Sequence, residues 1–129
     1  MKTSLLFFSI AVLFLFSGKS LIAQNNGLSA KLTKTSGNVY TIDNNGKHLI
    51  SIDISGIDNQ KHAENLLKQI RGYRGCEEFN LTQITGTSNW KAEGVFYKYA
   101  ENEYFKNFLK FIKVTDLTID NNKVLIDNL

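Results

Sequence analysis

The segment from His48 to Ile54 most constrains the fold, because its hydrophobic residues alternate strictly with other residues. The two faces of this segment are formed by Ile50, Ile52 and Ile54 on one side and by Leu49, Ser51 and Asp53 on the other. A period of two residues predicts a β-strand with one buried side and one side that meets solvent. The sheet that contains this strand should therefore be covered on one face only.

An amphipathic helix is predicted directly after this strand. Asp58 or Asn59 can cap its start, and Gly72 can end it in the left-handed conformation. Its apolar stripe falls at helical spacing and consists of Ala63, Leu66, Leu67 and Ile70. Such a helix packs its stripe against the buried side of a sheet.

The order of the remaining elements predicts the fold class. Two strands, at 76–82 and 90–99, precede a second helix with Asn102 as its cap, and a final strand or short hairpin covers 116–126. The stripe of the second helix is Phe105, Phe108, Leu109 and Ile112. From Lys47 the order is strand, helix, strand, strand, helix, strand. This order predicts an α+β, ferredoxin-like βαββαβ (split-βαβ) sandwich, an antiparallel sheet with two helices on one face.

An N-terminal hairpin strand precedes this domain. Residues 39–43 read as a strand, and Asn45-Gly46 is a strong hairpin signal. Residues 24–38 are polar and predict a loose arm or an edge strand. In a ferredoxin-like sheet both edges of the first strand are occupied, so either the hairpin bends away or the final strand is displaced. The predicted divisions are 1–23 (leader), 24–46 (arm and hairpin strand) and 47–129 (ferredoxin-like domain).

The first 23 residues have the pattern of a secretory signal peptide. Lys2 supplies the positive charge, residues 5–16 form an apolar block, and Ala23 provides a small residue at a cleavage position. We expect a bacterial exported protein, periplasmic or secreted, with no membrane span after cleavage; an uncleaved anchor is the alternative. An alanine followed by Gln24 resembles signals of Bacteroidetes-type bacteria.

Composition excludes several classes of function. Of the 15 lysines and arginines, Lys2 and Lys19 lie in the leader, so the predicted mature chain has a net charge of +1 and no nucleic-acid footprint. The single cysteine excludes an internal disulfide framework. Phosphate-binding glycine loops, nucleophile elbows and metalloprotease motifs are absent from the sequence. We therefore predict no catalytic residues, no cofactor and no enzyme.

Residues 56–76 resemble the heavy-metal-associated domain, the small module of copper chaperones and metal pumps. Gly56-Ile57 stands where that family has Gly-Met, and Gly75-Cys76 stands where it has Gly-Val. The resemblance implies the ferredoxin-like fold. The family's Cys-x-x-Cys pair is absent, because its two positions fall on Asn59 and His62. An amide and an imidazole cannot replace the thiolates that hold Cu(I), so these two residues are only low-affinity metal candidates.

These observations predict a small exported binding module without catalysis, whose partner is a protein or another envelope component. The alternative function is low-affinity metal binding or handling through His62. Partner binding is expected on the sheet face without helices, with Leu49, Lys91, Val95 and Tyr97 as candidate residues. An ordinary half-polar sheet face, or one covered by the arm at 24–38, is the competing interpretation.

Overall fold

The computed structural model describes residues 27–129; the predicted leader, 1–23, and its cleavage site lie outside the described residues. The described residues form seven strands and two helices, so the α+β class is confirmed. In chain order the elements are β1 (Leu28–Leu32), β2 (Thr41–Ile42), β3 (His48–Ser55), α1 (Gln60–Arg71), β4 (Cys76–Gln83), β5 (Trp90–Phe96), α2 (Asn102–Phe111), β6 (Val114–Ile119) and β7 (Asn122–Val124), followed by a 3₁₀ turn (Ile126–Asn128).

The strands form one mixed sheet in the order β4-β5-β3-β1-β6-β7, and β2 pairs with the first residues of β3. β1 and β6 are parallel, whereas the other neighbouring strands are antiparallel. The prediction of an antiparallel sheet is therefore wrong at one ladder. The reason is that β1 lies between β3 and β6, which would be direct neighbours in a ferredoxin-like sheet.

β1 is an interior strand, not the loose arm or edge strand predicted for residues 24–38. Leu28, Ala30 and Leu32 are buried, while Lys31 between them is exposed. Three alternating apolar positions among polar neighbours give a weak sequence signal. Hydrogen bonding on both edges, to β3 and to β6, fixes the strand inside the sheet.

The hairpin strand β2 packs on an edge of β3 that it shares with β1. β1 pairs with the last residues of β3, from Asp53 to Ser55. β2 pairs with the first residues of β3, His48 and Leu49. The hairpin therefore stays in the sheet, and the final long strand is displaced, which is the second of the two predicted alternatives.

The helices follow the predicted stripes but differ at their ends. Asn59 caps α1 as expected, yet Gly72 ends it with φ −85° and not in the left-handed conformation. α2 has Glu101 at its N-cap without a side-chain cap bond, so the prediction of Asn102 as the cap is wrong. The amide of Asn102 binds another segment, described below.

The core lies between the two helices and one side of the sheet. Ile50, Ile52, Ile54, Trp90 and Phe96 are buried there, as predicted. Phe96 contacts Phe105 and Phe108 edge to face, with ring centroids 5.1 and 5.3 Å apart. These buried residues and the buried stripes of both helices form one cluster, so the opposite side of the sheet has no helix on it.

Candidate functional site

The open face is the side of the sheet opposite the helices, and it carries three of the four predicted partner-binding residues. Leu49 on β3 lies directly opposite Val95 on β5. Thr41 of β2 and Glu78 of β4 extend this row at its two ends. The row therefore has a half-buried apolar centre between polar ends.

Two further rows of side chains cross the open face, and both are polar. The first consists of Ser51, Glu93 and Asn80. The second consists of Lys31, Asp53, Lys91 and Thr82. Residues two positions apart on a strand share a face, so the three rows lie side by side.

Lys91, the third predicted binding residue, forms an ion pair on this face. Its Nζ lies 3.0 Å from Asp53 Oδ1, and both side chains are more than 40% exposed. A pair this exposed contributes about 1 kcal/mol or less, so a ligand can displace it at little cost. Among the described residues Glu78 and Glu93 form no ion pair.

A groove of about 640 Å³ lies on the open face. It is lined by side chains from the three rows and by the segment that joins β1 to β2, including Lys31, Tyr40, Leu49, Asn80, Glu93 and Val95. Its volume is in the range of ligand-binding clefts, which run from about 300 to 1,000 Å³.

The segment between β1 and β2 forms one wall of the groove and is held in place at two points. Thr35 and Asn38 exchange backbone hydrogen bonds around Ser36 and Gly37, whose φ values of 52° and 80° are those of a tight hairpin turn. Asn102 of α2 accepts a bond from the Val39 N–H at 3.1 Å and donates to the Gly37 carbonyl at 3.3 Å. Helix α2 therefore fixes this wall.

Tyr97, the fourth predicted binding residue, does not join the other three. It follows the end of β5, and its ring packs against Tyr104 of α2 at 5.5 Å and Tyr99 at 5.7 Å. It is not among the residues that line the groove. Strand alternation placed it on the open face, but β5 ends at Phe96 and the alternation ends with it.

The two metal candidates, Asn59 and His62, are used to begin α1. Asn59 Oδ1 accepts a hydrogen bond from the His62 N–H at 2.9 Å. The His62 ring accepts one at Nδ1 from the Asp58 N–H at 3.1 Å. Within residues 27–129 no three side chains of His, Cys, Asp or Glu come together as a potential metal site.

His48 is buried, and the alternation along β3 indicates this position. It has the same parity as Ile50 and Ile52, which places its side chain on the inner side. Its ring stacks on Tyr40 at 4.2 Å, and Nδ1 lies within hydrogen-bond distance of the Ala100 carbonyl. A carbonyl only accepts, so Nδ1 donates this bond.

Cys76 and Tyr104 carry polar groups whose pKa values are raised by burial. Burial raises the pKa of the Cys76 thiol, which limits its thiolate form and its reactivity. Burial, followed by the neighbouring Tyr73, raises the pKa of Tyr104, whose hydroxyl donates to the Arg74 carbonyl at 2.5 Å. Both groups therefore serve packing.

No family model matches the chain, and neither a curated protein nor a solved structure matches it significantly. The resemblance to the heavy-metal-associated domain thus stays a prediction. Neither helix in residues 27–129 has the length and apolar character needed to cross a membrane.

Proposed function

We propose that this chain is a non-catalytic binding module that docks a partner polypeptide on its open face. The observation that carries the proposal is the groove of about 640 Å³ over the Leu49–Val95 pair. An apolar centre surrounded by polar and charged groups is the usual composition of a wet, non-obligate interface.

The chemistry of the groove supports binding over catalysis. Asp53 is paired with Lys91, and the hydroxyl of Ser51 has no histidine beside it among the residues that line the groove. His48 is directed inward to the Ala100 carbonyl, and His62 lies at the start of α1. A nucleophile, a base and an orienting group do not meet at this site.

We also infer that the fold is a ferredoxin-like core with one additional strand inserted. Support comes from the chain order β3-α1-β4-β5-α2-β6 and from the adjacency of β4, β5 and β3. β6 runs antiparallel to β3, since it is parallel to β1 and β1 is antiparallel to β3. Removing β1 from the order would leave β4-β5-β3-β6, the ferredoxin-like arrangement, with β2 and β7 as further short strands.

Site-specific photocrosslinking in the source cell tests the docking surface. The photoreactive residue p-benzoylphenylalanine would replace Val95 on the open face, and Gln69, an exposed residue of α1, would serve as the control position. We expect a discrete crosslinked polypeptide from position 95 and none from position 69. A crosslink from position 69 alone would place the interface on the helices and refute the proposal.

A further inference from the structure

The hydrogen-bonded ladder along one edge of β3 is interrupted at its centre. β1 pairs with β3 as far as Asp53, and β2 begins to pair at Leu49. Ser51, midway between them, has no strand partner on this edge among the described residues. Ser51 also lines the groove, so the interruption opens into it.

The backbone groups of Ser51 point into this interruption. Arg71 at the outer edge of β4 donates to the Phe79 carbonyl at 3.2 Å. The backbone N–H and C=O of Phe79 therefore point away from β5. The backbone N–H and C=O of its cross-strand partner Gly94 therefore point toward β3 and form hydrogen bonds with Ile50. Because bonding direction alternates along a strand, the N–H and C=O of Ser51 point to the opposite edge.

The pairing of β1 with β6 independently gives the same orientation for the backbone groups of Ser51. The Leu32 carbonyl accepts a hydrogen bond from the Asp120 N–H next to β6. The backbone groups of Leu32 therefore point away from β3. Because the direction alternates along a strand, the backbone groups of Lys31 point toward β3, where Asp53 is its ladder partner. Asp53 and Ser51 are two positions apart and share a bonding direction.

Two acidic side chains lie on the open face across β3 from this opening. Glu93 is the direct cross-strand neighbour of Ser51, and Glu78 lies one row away on β4. Both are exposed, and both line the groove. Lys91 is paired with Asp53, and Lys31 lies on the β1 side of the groove, so the β4–β5 side of the groove is acidic.

We propose that the groove binds an extended peptide segment that pairs one residue with the Ser51 edge of β3 and places a lysine or arginine over Glu78 and Glu93. A peptide residue supplies the N–H and C=O that an antiparallel pair exchanges, and a cation complements the two carboxylates. This inference rests on the proposed function and names the chemistry of its partner.

Titration of the purified, isotope-labelled chain with three synthetic peptides, followed by NMR, tests the inference. The first probe is the acetylated, amidated pentapeptide Lys-Val-Lys-Val-Lys. The second has glutamate in place of lysine, and the third is the lysine peptide with methylated backbone nitrogens. We expect the lysine peptide alone to shift the amide signals of Leu49, Ser51 and Glu93.

Two single variants then test the charge requirement. Glu93→Gln and Glu78→Gln should each weaken binding of the lysine peptide by about two- to five-fold, the range for exposed charge pairs. Glu64→Gln on α1 removes the same charge away from the groove and should leave binding unchanged.

The outcomes separate this inference from the proposed function. Equal binding of the methylated peptide would refute backbone pairing at Ser51, and equal binding of the glutamate peptide would refute the preference for a cation. Either result leaves the crosslinking test of the open face unaffected. A crosslink at Val95 to a partner, with no response to the lysine peptide, would refute this inference and retain the docking surface.

Discussion

Asn59 shows how a single side chain stabilises one end of a helix. Its Oδ1 accepts the His62 N–H at 2.9 Å, one of four backbone donors that the first turn cannot pair internally. We expect Asn59→Ala to lower the free energy of unfolding by about 1 kcal/mol. Urea denaturation measures this change. Asn65→Ala, an exposed position inside the helix, is the control, and an equal loss there would contradict the capping role.

Tyr104 should make the fold less stable at alkaline pH. Burial raises its pKa in the folded chain above the value of 10.0 that applies to a free tyrosine. Its stabilisation is therefore complete below about pH 10 and decreases as the pH rises toward the folded-state pKa. We expect urea midpoints to fall as the pH rises above about 10, and to fall less in Tyr104→Phe.

A matched variant keeps this prediction specific. Tyr99 is 67% exposed, so Tyr99→Phe should retain the full alkaline decrease of the original chain. If Tyr104→Phe and Tyr99→Phe lose stability in parallel over this pH range, the decrease does not come from Tyr104.

At the scale of elements, the rings of Phe79 and Phe96 lie against the β5 backbone because Gly94 has no side chain. A Cβ at this position would lie 2.5 Å from Phe79 Cδ2 and 2.7 Å from Phe96 Cε2. We expect Gly94→Ala to destabilise the fold by about 1–3 kcal/mol through overpacking of these rings. Thermal or urea unfolding measures the effect.

Gly72 provides the control for this change. Its φ is −85°, and an added Cβ would lie 3.6 Å from the Gln69 carbonyl oxygen, an ordinary van der Waals contact. Gly72→Ala should therefore change stability much less than Gly94→Ala. Equal effects at both positions would show that loss of glycine, and not ring packing, causes the destabilisation.

The elements that were predictable from the sequence are those with long periodic patterns. β3, α1 and α2 each present an apolar stripe, and the inward residues Ile50, Ile52 and Ile54 are buried as expected. β1 has only three alternating apolar residues, so its place inside the sheet depends on pairing with β3 and β6. Local sequence does not encode such long-range pairing.

The candidate site likewise has residues that the sequence could predict and residues that it could not. Leu49, Lys91 and Val95 lie within regular strands, so alternation alone placed them on the open face. Tyr97 lies beyond the end of β5, where alternation no longer applies. The wall of the groove depends on Asn102, whose bonds to residues 37–39 span more than 60 positions of sequence. No local pattern predicts that contact.

At the scale of the whole molecule, the position of β1 joins the two ends of the described chain. The Lys34 N–H donates to Asp120 Oδ1, 86 positions further along the sequence. β1 can take its interior place only when β6 is available on its other edge. Contacts this distant in sequence close late and slow folding.

In the nascent chain, the sheet therefore cannot be completed until β6 has left the ribosome. β1 leaves the ribosome first among the described elements, and its parallel partner β6 emerges only after the six elements between them. Until then β1 can pair only with Asp53 to Ser55 of β3, and its other edge has no strand beside it. β1 therefore gains its second neighbour only after most of the described chain has left the ribosome.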